Sequence, residues 1–399
     1  MADSKVSVAA MGCVCACGNT VDEVFDGMLH GQAHFALPVG RVTSTYTAKY
    51  PVFLVEPDVC KTKPADQTFS QFFFIRAALE AFKQAQLAPE QLDPKRVGVI
   101  VGASVHPSFH CFEIYKRWKK ETMRPADLAG LKNYIATPLA QWVSNYFGFT
   151  GPFQTVVTAC ASGTDAIGLA KNWIETGLCD VVLCGGTDEI AESPYDGFIR
   201  LMVSSPERCR PFCKTRSGIN IGEGAAALLI VNRQITEKFH LPCQGYVLGY
   251  GNCCDGFHPT APDPQATGLQ KALSFALHQS GKTVADMAFI NAHGTASQAN
   301  DSAESVAFHA VLPQVAVWGS KSVTGHTLGA AGAIEAVLTL QALNRRVLPA
   351  TVGFTTPDEQ LQLVPTTRQT AITNRFAVSD SLAFGGCNAA LVLGAYDAA

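Results

Sequence analysis

Residues 156–170 read Val-Val-Thr-Ala-Cys-Ala-Ser-Gly-Thr-Asp-Ala-Ile-Gly-Leu-Ala, which places Cys160 between a short apolar run and a helix of small residues. The two valines are typical of the end of a buried strand, and the residues up to Trp173 are apolar on nearly every side of a helix. Cys160 is therefore predicted at the turn into a buried helix. There free N–H groups and the helix dipole favour an anion, so we expect the thiol to ionise below its usual pKa of about 8.5 and to act as a nucleophile.

The composition describes a globular protein with a large interior, since 47% of the 399 residues are hydrophobic and 16% are charged. This length gives room for two to three average domains, or for one large core made of two similar halves. A net charge of -3 gives no reason to expect nucleic acid or a membrane surface as a partner. The 14 cysteines follow no disulfide spacing, which favours reduced thiols and a cytoplasmic location.

Three cysteines alternate in the first apolar run, at Cys13, Cys15 and Cys17. In a strand they share one face and in principle can hold a metal ion, but no second cluster of His and Cys follows them. Packing in the core is the favoured interpretation, and no metal is expected. Glycines at positions 12 and 18 interrupt this run before it reaches the length of a membrane span.

Strands and helices alternate along the chain, which indicates α/β layering. A helix beginning after Asn19 or Thr20 is followed by a second helix over residues 68–84. Residues 96–102 read Arg-Val-Gly-Val-Ile-Val-Gly, a run typical of a strand that is buried on both faces of a parallel sheet. Further along, Lys116, Arg117, Lys119 and Lys120 form a basic cluster, which is either a solvated helix face or a docking patch for an acidic partner.

The chain also contains a weak internal repeat. Residues 157–170 align without gaps on residues 323–336, with matches at the Val-Thr pair, the first glycine and the last alanine. Two helices rich in Gly and Ala can pack closely, with one sheet on either side of them. The repeat therefore predicts that Cys160 and His326 lie at equivalent positions and face one site.

Two further segments bring charged and titratable residues to this site. His293 follows a strand-like run and precedes a Gly-Thr turn, so we place it on a loop, where functional residues concentrate. Lys321 lies in a small, apolar segment, and a buried ammonium is costly unless it is paired. We expect Lys321 to meet one of the acidic residues Glu335, Asp301 or Glu304.

These motifs resemble those of the condensing β-ketoacyl-acyl carrier protein synthases. The resemblance rests on Thr-Ala-Cys-Ala-Ser-Gly around Cys160, Asn-Ala-His-Gly-Thr around His293, the segment from Gly319 to Gly332, and Phe-Gly-Gly-Cys-Asn from Phe384. They occur in the family's order and spread over most of the chain. The resemblance implies a thiolase-like five-layer αβαβα architecture from two duplicated halves, here residues 1–245, which carry Cys160 and cap insertions, and residues 246–399, which carry both histidines and Lys321.

The resemblance also implies a role for each matching residue. Cys160 would hold an acyl group as a thioester, while His293 and His326 would bind the malonyl thioester carbonyl and promote loss of carbon dioxide. Lys321 would organise charge rather than act as a base. The N–H groups of Cys160 and Phe384 would form an oxyanion hole, and the Phe384 ring would gate the acyl pocket. Thr295 and Ser297 match positions that contact the phosphopantetheine arm.

What the family implies about partners follows from its substrates. Acyl and malonyl groups would arrive on the phosphopantetheine of an acyl carrier protein, so no resident cofactor, metal or nucleotide is expected. A dimer is expected, either with a second copy or with a related chain-length partner. The acyl length, and the choice between primary fatty acid and specialised polyene or polyketide synthesis, stay open.

Several positions depart from the family pattern. Ala383 stands where many members have Gly before the gating Phe, which we expect to stiffen that loop. Gln298 follows Ser297 where a proline is usual, and Cys213 and Ser217 replace two aspartates. The helix aligned with the carrier-docking helix carries Phe72, Phe73 and Phe74 and few basic residues, which leaves the identity of the carrier open.

Two other functions compete with the condensing enzyme. A thiolase acting on coenzyme A esters would need a second catalytic cysteine near the last Gly-Gly pair, where Cys387 follows. A non-catalytic chain-length partner of a ketosynthase heterodimer would need no nucleophile at all. Two histidines favour decarboxylation over the first alternative, and the presence of Cys160 disfavours the second.

Overall fold

The computed structural model describes residues 6–42, 44, 46–104, 108–125, 127, 128, 131 and 137–398. The strands are β1 Ser7–Cys15, β2 Phe35–Ala36, β3 Val52–Phe53, β4 Val97–Gly102, β5 Phe153–Val156, β6 Val181–Asp188, β7 Gly224–Val231, β8 Gly245–Cys254, β9 Met287–Ala292, β10 Ala316–Gly319, β11 Val347–Leu348, β12 Thr370–Ala371, β13 Phe376–Ala383 and β14 Cys387–Gly394. The helices are α1 Val21–His30, α2 Pro57–Cys60, α3 Phe69–Ala85, α4 Ser108–Lys119, α5 Leu139–Phe147, α6 Ser162–Glu175, α7 Glu192–Arg200, α8 Arg233–Phe239, α9 Thr267–Ser280, α10 Gln298–Val311, α11 Lys321–Thr324 and α12 Ala331–Arg345. The 3-10 turns are Pro89–Gln91, Ala159–Ala161, Val284–Asp286, Leu328–Ala330 and Phe384–Gly386.

The main sheet repeats one strand order twice. Its first half runs β5-β4-β6-β7-β1, with β4 parallel to β5 and β6, and with β7 antiparallel to β6 and β1. Its second half runs β10-β9-β13-β14-β8, with β9 parallel to β10 and β13, and with β14 antiparallel to β13 and β8. Each half therefore has its third, second, fourth, fifth and first strands in the same order and directions. This identity confirms that the fold is built from two duplicated halves.

The two half-sheets join where β1 pairs with β8, at Ser7 with Tyr246 and Val8 with Gly245. The division at residue 245 stays a prediction, although the first strand of the second set begins there. Two helices, α6 and α12, lie between the half-sheets and contact strands of both. Outside them, α3 and α5 cover the first half-sheet and α9 covers the second, so the five predicted αβαβα layers are present.

Glycines allow the two central helices to approach each other closely. A Cβ atom added to Gly163 would lie 2.8 Å from the backbone N of Ala333, and one added to Gly332 would lie 1.9 Å from Oγ1 of Thr164. The small residues in the predicted repeat are therefore needed where the helices touch.

Three predicted elements are confirmed with small shifts at their ends. Helix α1 begins after Thr20, whose side chain accepts a hydrogen bond from the Glu23 N–H, and α3 begins after Thr68 in a capping box with Gln71. Strand β4 is buried along its whole length. The strand before Cys160 is different, because β5 is an edge strand and Phe153 is 43% exposed. The expectation of a buried strand there was wrong.

The register of the predicted repeat was also wrong by three residues. The 3-10 turns Ala159–Ala161 and Leu328–Ala330 occupy the same place before α6 and α12, and each begins with a positive φ, 50° at Ala159 and 55° at Leu328. The counterpart of Cys160 is therefore Gly329, and His326 precedes that counterpart by three residues. Matches between Gly and Ala alone were too weak to fix the register of a repeat in which so many residues are small.

The alternating cysteines and the basic cluster are both visible in the structure. Cys13 and Cys15 are buried in the core and Cys17 packs against it, with its Sγ atom 3.3 Å from Sγ of Cys15. In the basic cluster, Lys116 pairs with Glu192 and Arg117 pairs with Asp127, so part of that charge is neutralised within the chain. No helix in the described part of the chain is long and apolar enough to span a bilayer.

Candidate active site

The nucleophile candidate lies in the 3-10 turn that precedes α6. Its neighbours lock this turn: the Ser162 hydroxyl donates to the Ala159 carbonyl at 2.6 Å and accepts the Thr158 N–H at 2.9 Å. Cys160 is buried, and its side chain lines a cavity of about 410 Å³. The sequence prediction of a cysteine at the start of a buried helix is thus confirmed.

His326 reaches Cys160 from the loop between α11 and the second 3-10 turn. Its Nε2 atom lies 3.1 Å from Cys160 Sγ, and the N–H of Leu328 donates to its Nδ1 atom at 3.3 Å. Because Nδ1 accepts a hydrogen bond, the proton of the neutral ring is on Nε2. His326 therefore directs an N–H donor toward the sulfur and the cavity.

His293 has the same arrangement with a different partner. Nζ of Lys321 lies 3.1 Å from His293 Nδ1 and also donates to the His293 carbonyl and to Glu335. An ammonium group has donors only, so His293 Nδ1 is an acceptor and Nε2 carries the proton. The two imidazole rings are 5.0 Å apart, with an interplanar angle of 88°.

Of the three acidic partners expected for Lys321, Glu335 is the one in direct contact. Asp301 instead accepts the Phe212 N–H at 2.7 Å and lies 3.6 Å from Arg216 Nε. Glu304 accepts the Gly294 N–H with both carboxylate oxygens, at 3.1 and 2.9 Å. These two residues support the loop that carries His293 rather than the lysine itself.

Burial controls protonation throughout the site. It lowers the pKa of His293 and of His326 well below the usual range, with a further contribution from the Lys321 charge, so both rings are neutral. Burial raises the pKa of Cys160 to about 12, although Lys321 acts in the opposite direction. The expectation of an easily ionised thiol was therefore wrong for the resting site, because desolvation of the thiolate outweighs the favourable helix start.

Two backbone donors converge on the sulfur. The N–H groups of Phe384 and Cys160 both contact the Cys160 thiol and favour its ionised form. The Phe384 ring stacks on Phe198 with 5.6 Å between the ring centroids. Ala383 has an extended backbone, with φ at -133°, so its Cβ atom causes no backbone strain.

The cavity leads from Cys160 past both histidines to polar side chains. Thr295 and Ser297 line it together, with their hydroxyl oxygens 3.0 Å apart. Ser297 also caps α10 by accepting the Asn300 N–H at 3.4 Å. Ser217 lines the cavity too, whereas Cys213 is buried and is not part of the cavity lining.

A metal ion is a poor fit to these three side chains. The ligand atoms of Cys160, His293 and His326 lie within 4.8 Å of one another, which a metal site requires. A metal bound at Nε2 needs the ring proton on Nδ1, but Lys321 and the Leu328 N–H both donate to Nδ1. The surrounding hydrogen bonds thus favour N–H donors over metal ligands.

Two residues of the site were missed from the sequence. Phe198 packs edge-on against His326 and stacks on Phe384, but it lies in an amphipathic helix with no motif. Asp188 accepts the N–H groups of Gly329 at 2.7 Å and Ser104 at 2.8 Å, which holds the second 3-10 turn in place. Its position at the end of a glycine-rich strand was visible, but its partners were too far away in sequence to predict.

A buried thiol, two N–H donors from neutral imidazoles and a pair of backbone donors in one cavity define a class of thiolase-like enzymes that form and break carbon bonds on thioesters. The comparisons with known proteins agree with this class. The β-ketoacyl synthase N-terminal domain matches residues 3–234, and the β-ketoacyl synthase C-terminal domain matches residues 244–355. The chain belongs to the β-ketoacyl synthase family, whose members are condensing acyltransferases.

Relatives match the chain over nearly its whole length. The 3-oxoacyl-[acyl-carrier-protein] synthase 2 of Staphylococcus aureus (strain COL) is 30% identical over 99% of both chains. The structure of the ishigamide ketosynthase/chain length factor has a TM-score of 0.89 and 28% identity over 99% of this chain and 100% of that chain. A β-ketoacyl synthase from Burkholderia phymatum STM815 has a TM-score of 0.88 and 25% identity over 98% of this chain and 100% of that chain.

Proposed function

We propose that this chain catalyses decarboxylative Claisen condensation of an acyl group with malonyl-acyl carrier protein, in fatty acid or specialised polyene or polyketide synthesis. In the first step Cys160 sulfur attacks the acyl thioester, and the carrier thiol leaves with the proton that the cysteine loses. In the second step the malonyl thioester loses carbon dioxide, and its electron pair forms an enolate. The enolate carbon then attacks the Cys160 thioester, the carbon–sulfur bond breaks, and the sulfur regains a proton.

The two imidazoles act on the enolate. Both present Nε2–H donors from buried rings, so one carbonyl oxygen between them gains negative charge beside two preorganised donors. Such donors are worth roughly 3 to 4 kcal/mol each in the transition state. Lys321 keeps His293 in this tautomer and does not touch the reacting atoms. The N–H groups of Cys160 and Phe384 form the second oxyanion hole, for the tetrahedral intermediate.

The observation that carries this proposal is the 3.1 Å contact between Cys160 Sγ and the protonated Nε2 of His326, with His293 beside it. Intact-mass analysis after incubation with acyl carrier protein that bears an acyl group tests it. We expect one acyl adduct per chain, which is lost in Cys160→Ala. An unmodified wild-type chain, or full condensation by the variant, would contradict the proposal.

We propose that both substrates arrive on the phosphopantetheine of an acyl carrier protein, with no resident cofactor. The hydroxyls of Thr295 and Ser297, on the path to Cys160, are suited to hydrogen-bond the amides of that arm. The three phenylalanines expected on a docking helix are buried in α3 and belong to the core around the first half-sheet, so carrier docking is left to other residues. A cytoplasmic location fits the reduced cysteines.

We also propose a dimer, with a second copy or with a chain-length partner. Edge strand β5 leaves Phe153 43% and the adjoining Val157 64% exposed. The corresponding edge strand of the second half, β10, is covered, because the Thr366 N–H donates to the Val317 carbonyl at 2.8 Å. The open edge suits strand pairing across a two-fold axis.

The competing functions make different requirements. The cavity in the described part of the chain is lined by Cys160 but not by Cys387, which pairs with Cys254 across β14 and β8. A thiolase would need that second thiol beside the first. A non-catalytic chain-length partner has no use for a thiol in contact with an imidazole, so the absence of an acyl adduct is the result that would favour it.

A further inference from the structure

A cluster of buried carboxyl groups lies behind His293, on the side away from the cavity. Glu304 of α10, Asp380 of β13 and Glu335 of α12 are each at most 1% exposed. Lys321 is the ammonium group that faces all three. Glu335 is its direct partner, which leaves Glu304 and Asp380 as neighbouring carboxyls that no cation of the described residues contacts.

Donors are distributed unequally between these two carboxyls. Glu304 accepts the Gly294 N–H with both oxygens, and Asn300 Nδ2 donates to its Oε2 atom at 2.6 Å. Among the described residues, no donor reaches either oxygen of Asp380 in hydrogen-bonding geometry. The polar groups nearest to Asp380 are the Glu304 carboxyl and the His293 N–H, which act to lower its pKa but are outweighed by burial. A fully buried carboxylate without a well-formed hydrogen bond is strongly disfavoured, whereas a carboxylic acid beside an acceptor is not.

We propose that Asp380 is a neutral carboxylic acid that donates its proton to Glu304, and that the pair positions the His293–Gly294 peptide from the side opposite Lys321. This assignment rests on the proposed condensing function for its role in the reaction. Lys321 holds the ring and the carbonyl of His293, while Glu304 holds the next N–H. Asp380 is thus a positioning residue, since it does not touch the cavity.

The proton on Asp380 also matters for charge. If both carboxyls ionised, three carboxylates would face one ammonium directly behind the ring that stabilises the enolate. Burial first and the Glu335 charge second raise the pKa of Asp380 to about 8, although Lys321, Glu304 and the His293 N–H act in the opposite direction. Burial and the Asp380 charge raise the pKa of Glu304, so the pair shares one proton, and the three N–H bonds that Glu304 accepts favour Asp380 as its holder. The other titratable neighbours are Asp301, which lies beside Arg216, and His293, whose ring is neutral. We therefore expect condensation to decline as the pair loses its proton in mildly alkaline solution.

Asp380→Asn and Asp301→Asn make a matched test, because both carboxyls are fully buried and both substitutions are isosteric. The amide that Asp380→Asn introduces keeps a donor toward Glu304, so we expect folded protein with kcat at pH 7 within about threefold of wild type. Asp301 accepts the N–H groups of Phe212 and Ala296. In Asp301→Asn the new NH₂ group faces one of these N–H donors, so that hydrogen bond is lost. We therefore expect a lower melting temperature and at least about tenfold lower kcat.

The pH dependence of kcat and that of the melting temperature both distinguish a neutral Asp380 from an Asp380 with a purely structural role. Asp380→Asn should move the alkaline decline of kcat to higher pH. Its melting temperature relative to wild type should rise between about pH 4 and pH 8. The reason is that an unfolded aspartate ionises near pH 4, whereas the folded wild-type group keeps its proton up to about pH 8 and loses stability across that window.

Infrared spectroscopy provides a substrate-free check, because Asp380→Asn should remove the carbonyl band of a buried carboxylic acid at neutral pH. A variant that loses stability at pH 7 as Asp301→Asn does, or that keeps this band and the wild-type alkaline decline, would overturn the proposal. The melting and infrared measurements need no condensation activity. They therefore remain decisive even if the proposed function fails.

Discussion

The two halves carry equivalent turns that contribute differently to the site. The 3-10 turns Ala159–Ala161 and Leu328–Ala330 each begin with a left-handed residue and each lead into a central helix. In the first half the middle residue is Cys160, which faces the cavity. In the second half the middle residue is Gly329, where an added Cβ atom would lie 2.5 Å from the backbone N of Ser104.

This difference shows how a duplicated scaffold acquired two roles. The second turn is packed against the first half, with Gly329 N–H held by Asp188, so no side chain fits at its centre. The functional residue of that half, His326, comes from the preceding loop and reaches the sulfur from the side. The first turn thus supplies the nucleophile. The second turn is a close-packed support, and the loop before it carries the N–H donor of His326.

The largest expected effect is the loss of the nucleophile from the first turn. Cys160→Ala should lower the condensation rate by about 10⁴-fold or more, as removal of a nucleophile does in other covalent enzymes. Cys184→Ala is the control, because Cys184 is also a buried thiol but lies in β6 away from the cavity. Product formation followed by mass spectrometry should be abolished in the first variant only, and equal loss in both would point to a folding defect.

The next largest effect is expected from removing either imidazole N–H donor. His293→Ala and His326→Ala should each slow carbon dioxide release from malonyl carrier by about 10² to 10³-fold, because each removes one preorganised donor. His326→Ala should also slow acylation of Cys160, since Nε2 of His326 is in contact with the sulfur. His293→Ala should acylate nearly normally.

The control for these variants is His278→Ala, on the exposed face of α9, which should match wild type in both steps. Acylation is followed by intact mass and decarboxylation by trapped carbon dioxide. If His293→Ala lost acylation and kept decarboxylation, the two rings would have to exchange roles.

A smaller effect is expected in the second turn. Gly329→Ala should reduce the free energy of unfolding by about 1 to 3 kcal/mol, because its Cβ atom meets backbone that cannot move freely. Gly197→Ala is the matched control, since Gly197 lies within α7 with no atom within 4 Å of the added Cβ. It should gain about 0.5 to 1 kcal/mol from helix propensity. Chemical denaturation of both variants would show whether packing explains the difference between the turns.

Local patterns predicted much of this molecule. The caps at Thr20 and Thr68 and the apolar run of β4 depend on neighbouring residues, so the sequence contains the needed information. The motifs around Cys160, His293 and Lys321 were also recognised, and the structure brings all three together with His326. The choice of Glu335 among the three candidate partners of Lys321 became visible only from the ion pair in the folded chain.

Features that depend on distant packing were not predicted. Phe198 reaches Phe384 across the cavity, and Asp188 reaches Gly329 across both halves of the chain. The same limit explains the wrong expectation for the Cys160 thiol. A sequence shows that a helix begins there, but the extent of burial that raises the pKa becomes visible only when both half-sheets enclose the turn.

The smallest expected effect concerns the pKa of Cys160, which is set either by burial or by the start of the helix. Because its pKa is raised to about 12, the thiolate fraction should increase tenfold for each pH unit between pH 6 and pH 9, with no plateau. Alkylation by iodoacetamide, measured on the Cys160 peptide, should follow this line. His326→Ala removes a donor to the sulfur and should lower the rate at every pH without bending the line. A plateau above about pH 8 would mean that the helix start dominates after all, and that the first turn holds a preformed thiolate.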